Sequence, residues 1–187
     1  MGYKIIDNFL SDDLFKLVQD KFYHDLSCPW YFHKSTVLPS DRLPGDSDIF
    51  QFVHLLCKYS GIGKYELTWS HSGDSYIRDV LRKLNPWFIL RIKANMTIAS
   101  SNQSKSSFHL DEKELVKANI KYSIGVYYLN TCDGYTILKD GTKIESIENR
   151  MLLLSGDTLH AACPPSNGNR VIINFNFINS ETTELYE

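Results

Sequence analysis

Two stretches of this 187-residue chain carry a pattern that suits a sheet with two unlike faces. In "RVIINFNF", Val171, Ile173, Phe175 and Phe177 fall on one side of an extended chain, and Arg170, Ile172, Asn174 and Asn176 on the other. In "WFILRIKANMTIA", Phe88, Leu90, Ile92, Ala94, Met96 and Ile98 alternate with Ile89, Arg91, Lys93, Asn95 and Thr97. The apolar sides require a core. Two settings suit the polar sides: the water-facing side of an edge strand, or the lining of a wet cleft inside a sandwich. Burying unpaired charges such as Arg91 and Lys93 is very costly. In the cleft setting, both therefore face solvent or a ligand, and they suit an acidic or carbonyl-bearing group.

Further strands follow from composition and turn chemistry. "IKYSIGVYYLN" is rich in β-branched and aromatic residues, and "GYTILKDGTKIESI" reads as a hairpin turning at Asp140-Gly141. "RMLLLSGD" adds another strand. The first part of the chain reads as helical. "FLSDDLFKLVQDKFYHDL" places Leu14, Leu17, Val18 and Phe22 on one face, with Ser11 as N-cap and Asp12 and Asp13 in the first turn. "SDIFQFVHLLCKYS" reads as a second helix ending near Gly61. "DSYIRDVLRKLN" reads as a third, with Tyr76, Ile77, Val80, Leu81 and Leu84 in register and Pro86 beyond its end. The expected architecture is α+β and mostly β: a sandwich or jelly roll with N-terminal helices packed on one face. It forms a single domain over residues 1–187, with helical support over about 1–86 and a jelly-roll core over about 87–179.

Composition removes several functional classes. The chain is 43% hydrophobic and 22% charged, ordinary for a globular domain. A net charge of −2 gives no bulk electrostatic footprint for nucleic acid, so no nucleic-acid partner is expected. No apolar run approaches the roughly 20 residues that span a membrane, and the start lacks the layout of a signal peptide. A cytoplasmic protein with no membrane partner is the expectation. Cys28, Cys57, Cys132 and Cys163 are far apart, which suits free thiols better than structural zinc.

The chemistry-bearing residues lie in the second half. His109-Leu110-Asp111 puts an imidazole and a carboxylate on one side of an extended segment, a spacing that surface residues also show by chance. Taken with the distant His160, it supplies the two histidines and one carboxylate of a facial iron(II) site. Such a site leaves three metal positions open, two for a bidentate 2-oxo acid and one for oxygen. Arg170 is the natural partner for the far carboxylate of that acid, because a guanidinium pairs bidentately.

With these residues in order, the sequence resembles the iron(II)- and 2-oxoglutarate-dependent dioxygenases, in particular the prolyl-hydroxylase-like branch. "IIDNFLSDD" resembles the phrase that opens the first helix there, "FHLD" the His-x-Asp segment, and "IGVYYLN" the strand that follows. "DGYTIL" sits where the family often has Gly-Gly-x-Thr, with Asp133 in place of a glycine. "IESIENRMLLLSGDTLHA" matches the stretch ending in the second histidine, and "NRVIINFNF" the last strand with its basic residue. The wording is also similar to small oxygenases carried by bacteriophages, which implies a host cytoplasm as its setting.

The resemblance implies a distorted double-stranded β-helix with the site inside its open end. It implies His109, Asp111 and His160 as catalytic iron ligands and Arg170 as the catalytic partner of 2-oxoglutarate. It places Tyr128 on the same co-substrate carboxylate, and Asn95 where relatives hold a co-substrate-binding tyrosine. Asn174 and Asn176 share the inward side with Arg170 and are candidates for contact with co-substrate or substrate. The implied cofactors are Fe(II), 2-oxoglutarate and O2, with ascorbate as a further candidate. The implied reaction hydroxylates an unactivated C–H bond of a peptide, protein or small molecule, releasing succinate and CO2. A nucleobase oxygenase, a cupin-like metal enzyme without an oxo acid, and a non-catalytic jelly-roll binding module remain alternatives. Specificity is expected in loops, with "CPWYFHKSTVLPSDRLPGDSD" and "SSNQSKSSFHLDEKELVKANIK" as candidates.

Overall fold

The computed structural model describes residues 2–37, 49–59, 65–66 and 73–179. Its strands are β1 (Tyr3–Ile6), β2 (Tyr31–His33), β3 (Gln51–Tyr59), β4 (Tyr65–Glu66), β5 (Phe88–Ile98) and β6 (Ser123–Tyr128). They continue with β7 (Cys132–Leu138), β8 (Lys143–Ser146), β9 (Arg150–Ser155), β10 (His160–Cys163) and β11 (Asn169–Ile178). The helices are α1 (Asp12–Gln19), α2 (Gly73–Leu84) and the short α3 (Lys113–Lys117). A larger antiparallel sheet runs β1-β9-β6-β11-β5-β3-β2, with β4 paired to β3, and a smaller one runs β10-β7-β8. No described helix is long and apolar enough to cross a membrane.

Period-two patterning divides the larger sheet between two apolar layers. Its outer side contributes Tyr127, Met151, Leu153, Val171, Ile173, Phe175 and Phe177 to a core shared with Phe15, Val18 and Phe22 after the first turn of α1, and with Ile77, Val80 and Leu84 of α2. Its inner side contributes Ile124, Val126, Tyr128, Leu152, Leu154 and Ile172, which pack with Leu138 and Ile144 of the smaller sheet. Neighbouring residues of β6 and β9 thus enter opposite cores, as the alternation of a strand demands. The expected mostly-β sandwich with helices on one face is what forms.

The N-terminal part differs from its helical reading in two places. Residues 51–59 are β3, not a helix, and the ends of that expected helix lie outside the described residues. The register of β3 against β5 shifts between Leu55 and Cys57, so Leu56 is an extra, bulged residue. The bulge puts the adjacent residues Leu56 and Cys57 in the same core, which breaks the period-two pattern of a strand. In α1, Phe15 rather than Leu17 joins Val18 and Phe22, and Leu17 stays 53% exposed. The α-helix ends at Gln19 and passes into a π-helical turn, Asp20–His24, closed by Asp25 N–H donating to Asp20 O at 2.7 Å. Ser11 has the extended backbone of an N-cap but makes no side-chain capping bond. The third helix stands as expected, ending at Asn85 in the left-handed region (φ 48°).

Asn149, itself left-handed at φ 58°, fastens the segment before α1 to the sheet. Its Oδ1 accepts from Leu10 N–H at 3.0 Å and from the Tyr127 hydroxyl at 2.7 Å, and its Nδ2 donates to Leu10 O at 2.9 Å. A buried polar group left unpaired costs roughly 1–3 kcal/mol. Asn149→Ala is therefore expected to lower unfolding free energy by at least about 2 kcal/mol in urea titration, against about 0.5–1.5 kcal/mol for Tyr127→Phe, which removes one of these bonds.

Candidate active site

His109 and His160 face each other across a β-bridge. His109 N–H donates to His160 O at 3.0 Å, and His160 N–H to His109 O at 3.3 Å. This pairing brings two residues from distant parts of the chain to a ring-centroid separation of 4.7 Å. Each ring is oriented by its own turn: His109 Nδ1 lies 3.1 Å from Ser107 O, and His160 Nδ1 lies 3.0 Å from Thr158 O. A carbonyl only accepts, so both Nδ1 atoms carry hydrogen, and a neutral ring then presents a bare Nε2 lone pair. Burial and the neighbouring His109 lower the pKa of His160, which keeps its ring neutral at pH 7.

Asp111 completes the group. Its Oδ1 lies 3.4 Å from His109 Nε2 and 3.8 Å from His160 Nε2, and the donor atoms of the three residues all lie within 4.8 Å of one another. Its other oxygen is held by the larger sheet: Asn174 Nδ2 donates to Oδ2 at 3.0 Å, and Arg91 Nη2 stands 3.5 Å away. Burial alone would push this carboxyl up. His109 Nε2 and the Arg91 charge outweigh burial and hold it well below the usual carboxylate range. An anionic carboxylate oxygen and two imidazole Nε2 atoms thus converge on one point. Two imidazoles with one carboxylate form the donor set of a non-haem iron(II) site. The residues present therefore fit a divalent metal.

The trio opens into a cavity of about 160 Å³ between the two sheets. Liquid water occupies roughly 30 Å³ per molecule, so this is room for a small ligand. Arg170, 2% exposed, lines it and donates from Nη2 to Thr136 Oγ1 at 2.8 Å, while its Nε has no partner. No described carboxylate pairs with Arg170, and an uncompensated buried cation is costly. An anion in the cavity would offset that cost.

The inward polar side of β5 also lines this space, through Arg91, Lys93, Asn95 and Thr97. Of the two settings open to that strand, the wet cleft is the one found. Asn95 Oδ1 is buried there without a partner. Two placements differ from expectation. Asn176 is fully buried beside Glu112 and is not in the lining. Tyr128 is fully buried behind the lining: its hydroxyl donates to Thr136 Oγ1 at 2.8 Å, and the Arg170 guanidinium sits 5.2 Å from its ring centroid. Asn174 is in the lining, but its amide is engaged with Asp111.

Thr136, Gln51 and Thr36 line the cavity without having been singled out in the sequence. Thr136 had a signal, the Gly-Gly-x-Thr-like phrase "DGYT". Gln51 lay within the segment misread as a helix, and Thr36 within an irregular loop whose Arg42 lies outside the described residues. Asp133 does more than make a turn, because its carboxylate accepts from Ser166 N–H and hydroxyl and pins the loop before β11.

No protein-family model matches the sequence, and neither does any curated protein. Solved structures do match the fold. An oxidoreductase of the 2OG-Fe(II) oxygenase family from Burkholderia pseudomallei aligns with TM-score 0.63 at 14% identity, over 94% of this chain and 85% of that one. A prolyl hydroxylase from Trichoplax adhaerens, in complex with a hypoxia inducible factor peptide fragment, aligns at 0.59 and 15% identity, over 94% and 83%. A viral collagen prolyl hydroxylase from Paramecium Bursaria Chlorella virus-1, in complex with 2OG, aligns at 0.52 and 14% identity, over 96% and 97%. At these identities the likeness establishes a shared fold.

Two outcomes follow from this geometry. A divalent cation that binds the trio stabilises the fold by about 2.7 kcal/mol at a concentration 100-fold above its Kd. Manganese(II) is thus expected to raise the melting temperature of the native protein and leave that of His160→Ala unmoved; an equal rise in both would remove His160 from the metal site. Separately, a Cβ on Gly134 would lie 2.9 Å from Arg170 Cδ and 3.0 Å from both Cys163 O and Pro165 N. Gly134→Ala is expected to cost about 1–3 kcal/mol by overpacking, read by thermal denaturation.

Proposed function

We propose that this chain is an iron(II)- and 2-oxoglutarate-dependent dioxygenase that hydroxylates an unactivated C–H bond, in a peptide or protein residue such as proline. The observation that carries this reading is the pairing of two unmet demands in one cavity. Three metal-ligand atoms converge within 4.8 Å of one another, and a buried arginine in the same cavity has no described carboxylate partner. A metal answers the first and the far carboxylate of a 2-oxo acid answers the second. In this reading the two sheets are the halves of a distorted double-stranded β-helix. The neighbour bound to a peptide supports a peptide substrate.

His109, Asp111 and His160 hold the metal, and Arg170 holds the distal carboxylate. Thr136, bonded to Arg170, stands beside that carboxylate, and Tyr128 acts through Thr136. Asn174 and Arg91 orient Asp111, the part that outer partners commonly play at metal sites. Iron(II), 2-oxoglutarate and O2 together supply an oxidant for C–H hydroxylation, with succinate and CO2 as co-products. The protein's share is to position the reacting carbon and keep water out.

Succinate release from 2-oxoglutarate under iron(II) and O2, with a one-oxygen mass gain in a peptide library, tests the reading. His109→Ala and His160→Ala are expected to abolish succinate release. Arg170→Ala is expected to leave metal affinity nearly intact and weaken 2-oxoglutarate binding by roughly 2–5 kcal/mol, the cost of truncating one partner of a buried charge pair, or more than tenfold. Tyr128→Phe costs less, about 0.5–1.5 kcal/mol for one hydrogen bond. Normal 2-oxoglutarate binding by Arg170→Ala sinks the assignment of that residue.

A further inference from the structure

Besides Arg170, the cavity lining carries Arg91 and Lys93, and Lys93 stands at a different level of the sheet. Cross-strand register puts Val126, Asn174, Lys93 and Leu55 in one row across β6, β11, β5 and β3. Asn174 is the residue that grips Asp111, so this is the row of the metal trio. Arg170 pairs with Thr97, four residues further along both strands. At about 3.4 Å per residue the two rows are roughly 14 Å apart. Lys93 therefore stands level with the metal trio, and Arg170 at the far end of the cavity.

The two basic residues of β5 are not equivalent. Arg91 is engaged, with Nη2 3.5 Å from Asp111 Oδ2 and Nη1 3.5 Å from Glu112 Oε1. Lys93 makes no hydrogen bond or ion pair with any described residue, although it lines the cavity and is half-buried. Burial first, and the Arg91 charge second, lower its pKa to about 8, so it is still mainly cationic at pH 7. Two residues along the same face, Asn95 Oδ1 is buried without a partner, and so is Thr97 Oγ1 in the Arg170 row. These groups occupy the β5–β3 side of the cavity. Arg170, Thr136 and Val126 occupy the β11–β6–β7 side, where the co-substrate is assigned.

We propose that Lys93 is the receptor for a carboxylate carried by the primary substrate, held close to the carbon that reacts. The inference rests on the oxygenase reading and adds the substrate's chemical class. A single ammonium matches the single negative charge of a carboxylate, and Arg91, the other base of this strand, is already engaged by Asp111 and Glu112. Asn95, two residues along the same face, supplies a polar contact to the atoms that flank the carboxylate. An acidic residue within a peptide and a free amino or organic acid share this chemistry.

Calorimetry on manganese-loaded protein saturated with 2-oxoglutarate tests it. The probes are free proline, aspartate and glutamate, their amides, and end-capped tripeptides centred on Asp, Glu, Asn and Pro. An acid is expected to bind at least tenfold more tightly than its own amide. Lys93→Met, or Lys93→Gln if methionine disturbs folding, is expected to remove that preference while 2-oxoglutarate affinity stays within twofold of the native value. Preference among free acids or among capped acidic peptides identifies the source of the carboxylate. Equal binding of acids and amides, unchanged acid binding by the variant, or no binding of any acid overturns the inference and leaves the oxygenase reading standing. So does a loss of 2-oxoglutarate affinity in Lys93→Met as large as that in Arg170→Ala, which reassigns Lys93 to the co-substrate. Failure of the native protein to bind 2-oxoglutarate at all overturns the oxygenase reading, and this inference with it.

Discussion

The carboxylate of Asp111 is the point at which the two sheets are tied together chemically. One oxygen is turned toward the two histidines that meet across the β10 bridge, and the other is gripped from the larger sheet by Asn174 and Arg91. Dividing the two oxygens in this way lets one carboxylate be buried, ionised and oriented at once. It stays ionised because the groups around it stabilise the charge more than burial opposes it. Freed from that grip, Asp111 would rotate, and the convergence of three donors would be lost.

The same division of labour runs along β5 and β11. Their outward residues, Ile92, Ala94, Val171, Ile173 and Phe175, lie in the apolar layer under the helices. Their inward residues, Lys93, Asn95, Arg170 and Asn174, line the cavity. Burial on the apolar side contributes roughly 1.5–3 kcal/mol for each large side chain. That stability offsets the cost of charged and unpaired polar groups on the other side. The helices α1 and α2 cover the outer side of the sheet, and this lets its inner side be polar.

Much of the site was legible in the sequence because strand parity is a local property. Once 88–98 and 169–178 are strands, alternation alone separates Val171 and Ile173 from Arg170 and Asn174, and the polar set faces inward together. His109 and Asp111 were readable as a pair because they are two apart in an extended segment. The N-terminal part was less legible. One bulged residue, Leu56, turned a strand into an apparent helix, since an inserted residue breaks the period-two pattern locally.

What the sequence by itself determined is which side chains share a face, because backbone geometry sets that residue by residue. What only the tertiary structure decided is which partner each polar atom finds. Arg91 and Lys93 look alike in the strand, yet one lies 3.5 Å from Asp111 and Glu112 and the other makes no ion pair with a described residue. Tyr128 and Arg170 both belong to the inward set, yet Thr136 stands between Tyr128 and the cavity. The physical reason is range. Side-chain direction is fixed by the nearest peptide bonds, whereas a hydrogen bond or ion pair forms only within about 3–4 Å. Such distances between strands remote in the chain are set by how the two sheets pack.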